Sequence, residues 1–326
     1  MKLTTAQMDR ACGAVLGSAA GDALGAGYEF GCATVGPEGP RMIGGGLGDF
    51  EPGEWTDDTS MTWCVLDVAA SGVDLRSAEG LDAVAARFAE WAGSNPPDIG
   101  IQTRSVLGAV GKEPTGAELA SAAARLHERT GRTAGNGSLM RTAAVALPFL
   151  DDPEGLTEAA RAVSALTHTD PRAGEACVLW CHAIRRAVLR GDLDVRAGLE
   201  HLDAEAAAYW GERIDEAEAE RLGITTYKIG QTWPLDMTSF HEWAEGLSLI
   251  IVVEEKRKLI EVQVKEAIFD DRRGRRVYGW HKGDTWEHGR RLELFPTRYA
   301  LDPVLIAQRL GDILIEDGRR TDRLES

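Results

Sequence analysis

Two consecutive aspartates at the start of a predicted helix are the most chemically suggestive feature of this sequence. Thr56, Asp57 and Asp58 follow a loop rich in Gly and Pro and precede a segment that predicts a helix to about residue 70. The cluster has two interpretations. It forms an ordinary N-terminal cap, with acids in the first turn stabilised by the helix dipole. Alternatively, it supplies hard oxygen ligands suited to Mg²⁺ or Mn²⁺. The residue types alone leave both open.

Further candidates occur where the chain is predicted to turn or where a helix begins. They are Glu29, Asp98, Asn136, Gly137, Ser138 and His168. Each also has an ordinary structural interpretation. Asp98 follows two prolines and suits a turn, the Gly-Asn-Gly run suits a chain reversal, and a lone His is usually a capping or core residue. Taken singly, none of them identifies a site.

The elements that position these residues are predicted to be helices up to about residue 209. The apolar spacing and the capping residues indicate helices over about 6–26 (capped by Thr5), 58–70, 78–93, 116–130, 154–165, 171–190 (capped by Asp170 and ended by Gly191) and 194–209. In the first of them, four glycines recur every four residues and predict a face for close helix packing. These are Gly13, Gly17, Gly21 and Gly25. The run 44–48 predicts a plain flexible loop, because it lacks a lysine partner for phosphate.

In their order and intervals, five segments resemble the ADP-ribosylglycohydrolase family over about residues 8–209. They are Gly17–Gly25 followed by Glu29-Phe30, Glu54–Met61, Asp98–Gly100, Gly135–Arg141 and Ser164–His168. The resemblance implies a compact all-α bundle with a dinuclear Mg²⁺ or Mn²⁺ centre. It also implies a hydrolase that removes ADP-ribose from a modified protein side chain or a small molecule.

The resemblance implies metal and catalytic roles for five residues. Thr56, Asp57 and Asp58 match the family's N-terminal metal ligands. Glu29 matches a glutamate near the metals, which gates the ligand or acts as a general base, and Asp98 matches the aspartate of a pocket motif. Hydrolysis at ribose passes through an oxocarbenium-like state, and a metal-bound water whose proton a carboxylate removes suits that reaction.

Four more residues are implied to bind the substrate. Asn136, Gly137 and Ser138 match a loop that contacts the phosphates and ribose of ADP-ribose, and His168 matches a histidine that lines the pocket. Backbone amides in such a turn bind a pyrophosphate without lysines.

The sequence departs from the family on its C-terminal side. The family completes its metal site with a late Gly-Asn-Asp-Thr-Asp-Thr motif, and the nearest string here is Gly283-Asp284-Thr285, with one aspartate instead of two. The resemblance therefore implies a bundle truncated at its C-terminal side, an incomplete metal site and impaired activity.

The remainder of the chain follows a different pattern. Apolar strands over about 247–253 and 277–280, with a helix over about 257–269 between them and a last helix from Asp302, predict a small α/β unit. Segments between Leu222 and Glu261 resemble the indolepyruvate (2-oxoacid) ferredoxin oxidoreductases, in their transketolase C-terminal-like segment, over about 213–315. We therefore divide the chain into residues 1–210, a mainly α domain, and residues 211–326, an α/β unit.

Composition limits the remaining classes. The net charge of −16 disfavours binding to nucleic acid, and the sequence contains no apolar stretch long enough to span a membrane. Five scattered cysteines do not form a disulfide framework, and Cys177 and Cys181 are expected in a helical core rather than in a metal site. The N-terminus lacks a secretory h-region, so we expect a cytoplasmic protein.

Two functions remain in competition. One is the metal-dependent hydrolase acting on an ADP-ribosylated protein or small molecule. The other is a non-catalytic chimera or accessory protein related to indolepyruvate ferredoxin oxidoreductase, with oligomerisation through the C-terminal unit.

Overall fold

The apolar-periodic segments of the first two-thirds of the chain form helices, as predicted. The computed structural model describes residues 2–221, 225, 234–254, 259–269, 274–287, 290–295 and 303–318. The chain forms two compact units, Met1–Glu216 and Ala217–Ser326. The helices that begin in the first unit are α1 (Thr5–Gly25), α2 (Asp57–Ala70), α3 (Ala78–Gly93), α4 (Ile101–Leu107), α5 (Gly116–Thr130), α6 (Pro153–Ala165), α7 (Pro171–Arg190) and α8 (Ala204–Arg221), with 3-10 helices at Glu29–Gly31, Thr142–Ala146 and Val195–His201.

Capping residues determine where these helices begin and end. The hydroxyl of Thr4 accepts a hydrogen bond from the backbone N–H of Gln7, and the Gln7 side chain accepts one from the backbone of Thr4, which forms a capping box. The cap of α1 is therefore Thr4 and not Thr5, because Thr4 is extended whereas Thr5 is already helical. For α7 the predicted limits are confirmed, with Asp170 as the N-cap and Gly191 closing the helix at φ 89°.

Two elements differ from the sequence prediction. The helix expected over 194–209 is a 3-10 helix at Val195–His201 followed by α8, which continues to Arg221 and through the expected boundary at residue 210. Helix α4 was not predicted, because its seven residues complete fewer than two full turns and give too little periodicity to detect.

Helix α7 lies at the centre of the apolar core. It packs against α1, α6 and the 3-10 helices at Thr142–Ala146 and Val195–His201. Cys177 and Cys181 are fully buried in this core, which confirms their interpretation as core residues. Phe88 of α3 is also fully buried, and removing such a ring from water stabilises a fold by about 1.5–3 kcal/mol.

The glycine stripe of α1 faces solvent in the described part of the chain. Gly13, Gly17 and Gly21 are exposed, and a Cβ atom built on any glycine of the stripe would meet no other atom within 4 Å. The prediction of close helix packing on this face is therefore wrong. Helix α1 is instead attached to α7 by other side chains, such as Arg10, whose Nε donates to the carbonyl of Val188 at 2.9 Å.

The glycine-rich run 44–48 forms a packed turn rather than the plain flexible loop that was expected. Gly44–Gly46 have φ values of 67°, 83° and 68°, and Gly45 exchanges two backbone hydrogen bonds with Phe50 at 2.7 and 2.9 Å. A Cβ atom on Gly46 would lie 2.3 Å from the carbonyl oxygen of Ala26. Only glycine therefore allows this turn to lie against the end of α1.

The second unit contains short strands and helices. They are α9 (Met237–Ala244), β1 (Leu249–Ile251), α10 (Leu259–Ala267), β2 (Arg276–Tyr278), β3 (His281–Glu287), β4 (Arg290–Glu293) and α11 (Pro303–Glu316). Strands β1 and β2 are parallel, with Ile250 opposite Val277, and α10 connects them. The predicted strand-helix-strand order is therefore present, with a first strand shorter than expected.

Other features of this unit were not predicted. Strands β3 and β4 form an antiparallel pair, and α9 supplies Phe240 to an apolar cluster with Ile250 and Val264. The stretches 222–224 and 226–233, which carry part of the C-terminal resemblance, lie outside the described residues. The likeness to a transketolase C-terminal-like segment stays a prediction.

Among the described residues, no helix combines the length and the apolarity that crossing a membrane requires. The cytoplasmic location stays a prediction.

Two alanine substitutions, one at an exposed glycine of α1 and one at a buried glycine elsewhere, test whether the glycine face of α1 is open. We expect Gly17→Ala to raise the free energy of unfolding by about 0.5–1 kcal/mol, because Cβ meets open space and glycine is a poor helix former. The matched variant Gly198→Ala should lower it, since its Cβ would lie 2.6 Å from the Cα of Leu179. Urea unfolding of the full chain measures both. Destabilisation by Gly17→Ala would contradict an open face.

Candidate functional site

Asp22 of α1 holds the N-terminus of α2. Its carboxylate accepts hydrogen bonds from the backbone N–H and hydroxyl of Thr56, at 3.1 and 2.8 Å, and from those of Thr59, at 3.0 and 2.6 Å. Thr56 is 2% exposed, and its hydroxyl also caps α2 by accepting from Asp58 N–H at 3.4 Å. These bonds fix the first turn of α2, and with it the direction of Asp57 and Asp58.

Four carboxylates interact around this first turn. Asp57 and Asp58 lie on α2, Glu29 begins the 3-10 helix after α1, and Asp98 lies just before α4. Burial raises the pKa of Asp58 to about 7, and the negative charges of Asp57, Asp22, Glu29 and Asp98 add to that rise. The carboxylates are therefore close enough to repel one another.

The pKa values of Glu29 and Asp57 are raised as well. For both groups burial is the largest cause, followed by repulsion from Asp98. Acids in the first turn of a helix are normally stabilised in the charged form by the helix dipole, which lowers their pKa. Here burial and like charge raise the pKa instead, which favours a binding site over a simple helix cap.

The donor types fit a divalent cation better than their arrangement does. Carboxylate oxygens are the ligands that Mg²⁺ and Mn²⁺ prefer. Within the described residues, however, no group of three or more His, Cys, Asp or Glu side chains is arranged to hold a metal ion. The hydroxyl of Thr56 is also occupied, since it donates to Asp22. The predicted ligands thus lie together, but they do not form a closed metal site.

Helix α4 connects the acids to the predicted substrate loop. The backbone N–H of Gly100, the residue before α4, donates to Oδ2 of Asp57 at 3.3 Å. Two residues later, in the first turn of α4, the side-chain amide of Gln102 donates to the carbonyls of Thr133 and Thr167, at 3.1 and 3.0 Å. One short helix therefore touches both the acid cluster and the segments that carry the Gly-Asn turn and His168.

The loop Gly135–Ser138 lies against His168. A Cβ atom on Gly137 would lie 3.0 Å from Cε1 of His168 and 3.4 Å from Oγ1 of Thr103, so the absence of a side chain allows close packing there. Asn136 is exposed at the surface of this loop. His168 is 3% exposed, and Thr167 Oγ1 lies 2.7 Å from its Nδ1. Burial lowers the pKa of His168 to about 3, so the ring is neutral at neutral pH.

Ser138 lies in a different environment from that implied by the resemblance. Its side chain is fully buried, and its hydroxyl accepts a hydrogen bond from Ser164 at 2.9 Å and contacts the thiol of Cys177 at 3.5 Å. The hydroxyl therefore points into the core. Ser138 as a whole has no exposed surface, so in this structure the accessible part of the loop is Gly135–Gly137.

The structure brings in residues that sequence reasoning did not select as site residues. Asp22 was not singled out, although its carboxylate accepts hydrogen bonds from four donors and thereby positions the metal-ligand candidates. Gln102 and Arg141 were passed over. Arg141 follows Gly137 by four residues and precedes a largely apolar run, which is a detectable signal, whereas nothing in the sequence distinguishes Gln102.

Two family models match this chain. The ADP-ribosylglycohydrolase model matches residues 3–255, and the indolepyruvate oxidoreductase domain matches residues 194–326. Both resemblances stated from the sequence are therefore confirmed. The two matches overlap over residues 194–255, a range that includes all of α8.

Known relatives carry names consistent with the ADP-ribosylglycohydrolase match. The chain is 35% identical over 176 residues to the ADP-ribosyl-[dinitrogen reductase] glycohydrolase of Rhodospirillum rubrum, covering 52% of this chain and 55% of that protein. It is 31% identical over 188 residues to the ADP-ribosylarginine hydrolase Tri1 of Pseudomonas putida (strain GB-1), covering 57% and 48%. A solved structure described as an ADP-ribosylglycohydrolase-related protein complex is 30% identical, with a TM-score of 0.42 and coverage of 57% and 58%. The chain spans about half the length of the curated relatives it matches.

The raised pKa of Asp58 predicts a pH-dependent cost in stability. A carboxyl group with a pKa near 3.8 when unfolded and about 7 when folded favours the folded state while protonated, so stability falls as pH rises from about 4 to 7. We expect Asp58→Asn to raise the free energy of unfolding at pH 8 by about 1–2 kcal/mol after solvent screening, with little effect near pH 4.

Chemical unfolding in the presence of chelator measures this effect. Glu128→Gln, on the exposed side of α5, is the matched control and should change stability at neither pH. Destabilisation of the Asp58→Asn variant at pH 8 would show that the carboxylate is satisfied rather than strained.

Proposed function

The chain belongs to the ADP-ribosylglycohydrolase family, and we propose that it is a metal-dependent hydrolase that removes ADP-ribose from a modified protein side chain or small molecule. One observation carries the proposal. Glu29, Asp57 and Asp58 all have raised pKa values and repel one another. Helix α4 joins this cluster to the loop Gly135–Ser138. Nearby acids of raised pKa are typical of metal-binding and acid–base sites.

The residues would divide the work by their chemistry. Asp57 and Asp58 would hold Mg²⁺ or Mn²⁺, with Thr56 contributing if its hydroxyl turns from Asp22. A bound divalent ion orients ribose hydroxyls and lowers the pKa of water. Glu29, whose pKa is raised by burial and by the neighbouring acids, suits a general base. The N–H of Gly100 keeps the Asp57 carboxylate oriented through its 3.3 Å bond.

The substrate would lie along the other side of α4. The backbone of Gly135–Ser138 would bind the phosphates, with Asn136 at the exposed edge. His168 is neutral, so it would act through shape and hydrogen bonding rather than charge. Asp98 adds negative charge beside Glu29 and Asp57, and this charge would make binding of a cation more favourable. The names of the relatives favour ADP-ribosylarginine in a protein as the first substrate to test.

Turnover is the direct test. We expect slow release of ADP-ribose from an ADP-ribosylated arginine peptide in Mn²⁺ or Mg²⁺, and loss of that release on adding chelator. Asp57→Asn should reduce the rate by at least about 10- to 100-fold, as changes at metal sites do. Chromatographic detection of free ADP-ribose measures the rate, and Glu128→Gln serves as the charge-matched control. Equal rates with and without chelator would contradict a metal-dependent reaction.

The metal stoichiometry forms a separate prediction. Few side chains converge on the first turn of α2, and a dinuclear centre requires near-octahedral oxygen coordination at each ion. We therefore expect weak binding of at most one Mn²⁺ per chain by calorimetry, and further weakening in Asp58→Asn. Tight binding of two ions would contradict this. It would require ligands from elsewhere, such as Asp270 and Asp271, which lie outside the described residues.

The indolepyruvate oxidoreductase match supports a second candidate function. That match covers residues 194–326, and residues 217–326 form their own unit. A non-catalytic accessory role, with oligomerisation through the C-terminal unit, would follow if the full chain released no ADP-ribose with either metal. Light scattering of the full chain tests the oligomer.

A further inference from the structure

A buried arginine lies beneath the loop Gly135–Ser138. Arg141 is fully buried, and its guanidinium donates to the carbonyl of Gly137 at 2.9 Å and to that of Val163 at 3.0 Å. The same group stacks over the ring of Phe88, 4.8 Å from its centroid. Its Nε has no hydrogen-bond partner, and no carboxylate in the described part of the chain forms an ion pair with it.

This arrangement is costly without a counter-charge. A buried cation is usually paired with an acid, because carbonyl dipoles replace only part of its hydration. Burial lowers the pKa of Arg141 to about 10, which still leaves it charged at neutral pH. Its charge extends to the loop's neighbour, since it helps to lower the pKa of His168. The core thus contains an uncompensated positive charge directly below the loop.

The loop above it has free backbone donors. None of the amides of residues 135–138 donates a hydrogen bond within the described structure. Gly135 and Asn136 are exposed and Gly137 is partly so, whereas Ser138 has no exposed surface. Arg141 holds the Gly137 carbonyl inward, and in a trans peptide the N–H of the same unit points the opposite way. The arginine therefore orients the Gly137–Ser138 peptide with its N–H directed away from the guanidinium.

We propose that Arg141 is a positioning residue for a phosphate-bearing ligand. Its guanidinium fixes the Gly135–Ser138 loop by tying Gly137 to Val163 at the end of α6, and its buried charge makes the loop favourable to anions. The chain carries a net charge of −16, and an acid cluster lies across α4 from this loop. Without a fixed positive charge, that field would repel phosphate. The proposal rests on the proposed function for the identity of the ligand.

The test measures local binding of inorganic pyrophosphate to the metal-free full chain. The titration is followed at the amide resonances of Gly135 and Gly137, so that binding elsewhere does not contribute. We expect Arg141→Met to weaken this binding by about 10- to 100-fold, the range for loss of a charge-assisted interaction. Arg141→Lys keeps the charge without the planar fork, and it should stay within about fivefold of wild type. Adenosine, which is neutral, should bind all three proteins equally.

Control variants separate charge near the loop from overall charge. Arg125→Met, on the exposed side of α5, removes one positive charge elsewhere and should leave pyrophosphate binding unchanged. If Arg141→Met does not fold, the Arg141→Lys variant provides the test. Its backbone amides at Gly137 and Ser138 should exchange hydrogen faster than those of wild type, while its affinity for pyrophosphate is retained. Equal affinity in folded Arg141→Met, a loss above about 10-fold in Arg141→Lys, or no pyrophosphate binding by wild type would each overturn the proposal.

The outcome is independent of the proposed hydrolase. Pyrophosphate binding that depends on Arg141, in a protein without turnover, would uphold this inference and refute the activity. Turnover by wild type, together with pyrophosphate binding that does not depend on Arg141, would uphold the activity and refute this inference.

Discussion

The carboxylate of Asp22 is the constraint on which the acid half of the site depends. By accepting hydrogen bonds from both the backbone and the hydroxyls of Thr56 and Thr59, it satisfies donors that every helix leaves free at its N-terminus. It thereby attaches α2 to α1 at one fixed point. That attachment brings Asp57 and Asp58 beside Glu29, which follows α1. Without these hydrogen bonds, no contact described here would hold the acids of α2 close to Glu29.

The same attachment creates a conflict between stability and binding. Burial and like charge raise the pKa values of Glu29, Asp57 and Asp58, whereas a helix N-terminus normally lowers the pKa of an acid beside it. A fold gains nothing from such repulsion, and a bound cation, as proposed above, would relieve it. The backbone next to Glu29 is also strained, because Phe30 adopts a left-handed φ of 53°. Phe30 is also 81% exposed. Strain of this kind is typical of binding sites.

The sequence predicted the long elements and the candidate residues better than their contacts. Helices with strong caps, such as α7, begin and end where predicted, because capping and periodicity are local properties. The prediction of close packing on the glycine face of α1 was wrong, because a smooth face permits close packing but does not supply a partner. The burial of the Ser138 hydroxyl and the short helix α4 could not be predicted from the sequence either. Both depend on which distant segments pack together, and no local pattern records that.

Opposite charges lie near the first turn of α4 and give the site its direction. At its start, Gly100 contacts Asp57 and the crowded acids, which favour a cation. One turn later, Thr103 adjoins Gly137, whose carbonyl is bound by the buried charge of Arg141. Each charged group by itself costs stability, because like charges or an unpaired cation are buried. A ligand that places phosphates beside the loop and a metal-bound sugar beside the acids would relieve both costs at once. This separation of charge supports the proposal that the ligand is ADP-ribose rather than a neutral nucleoside.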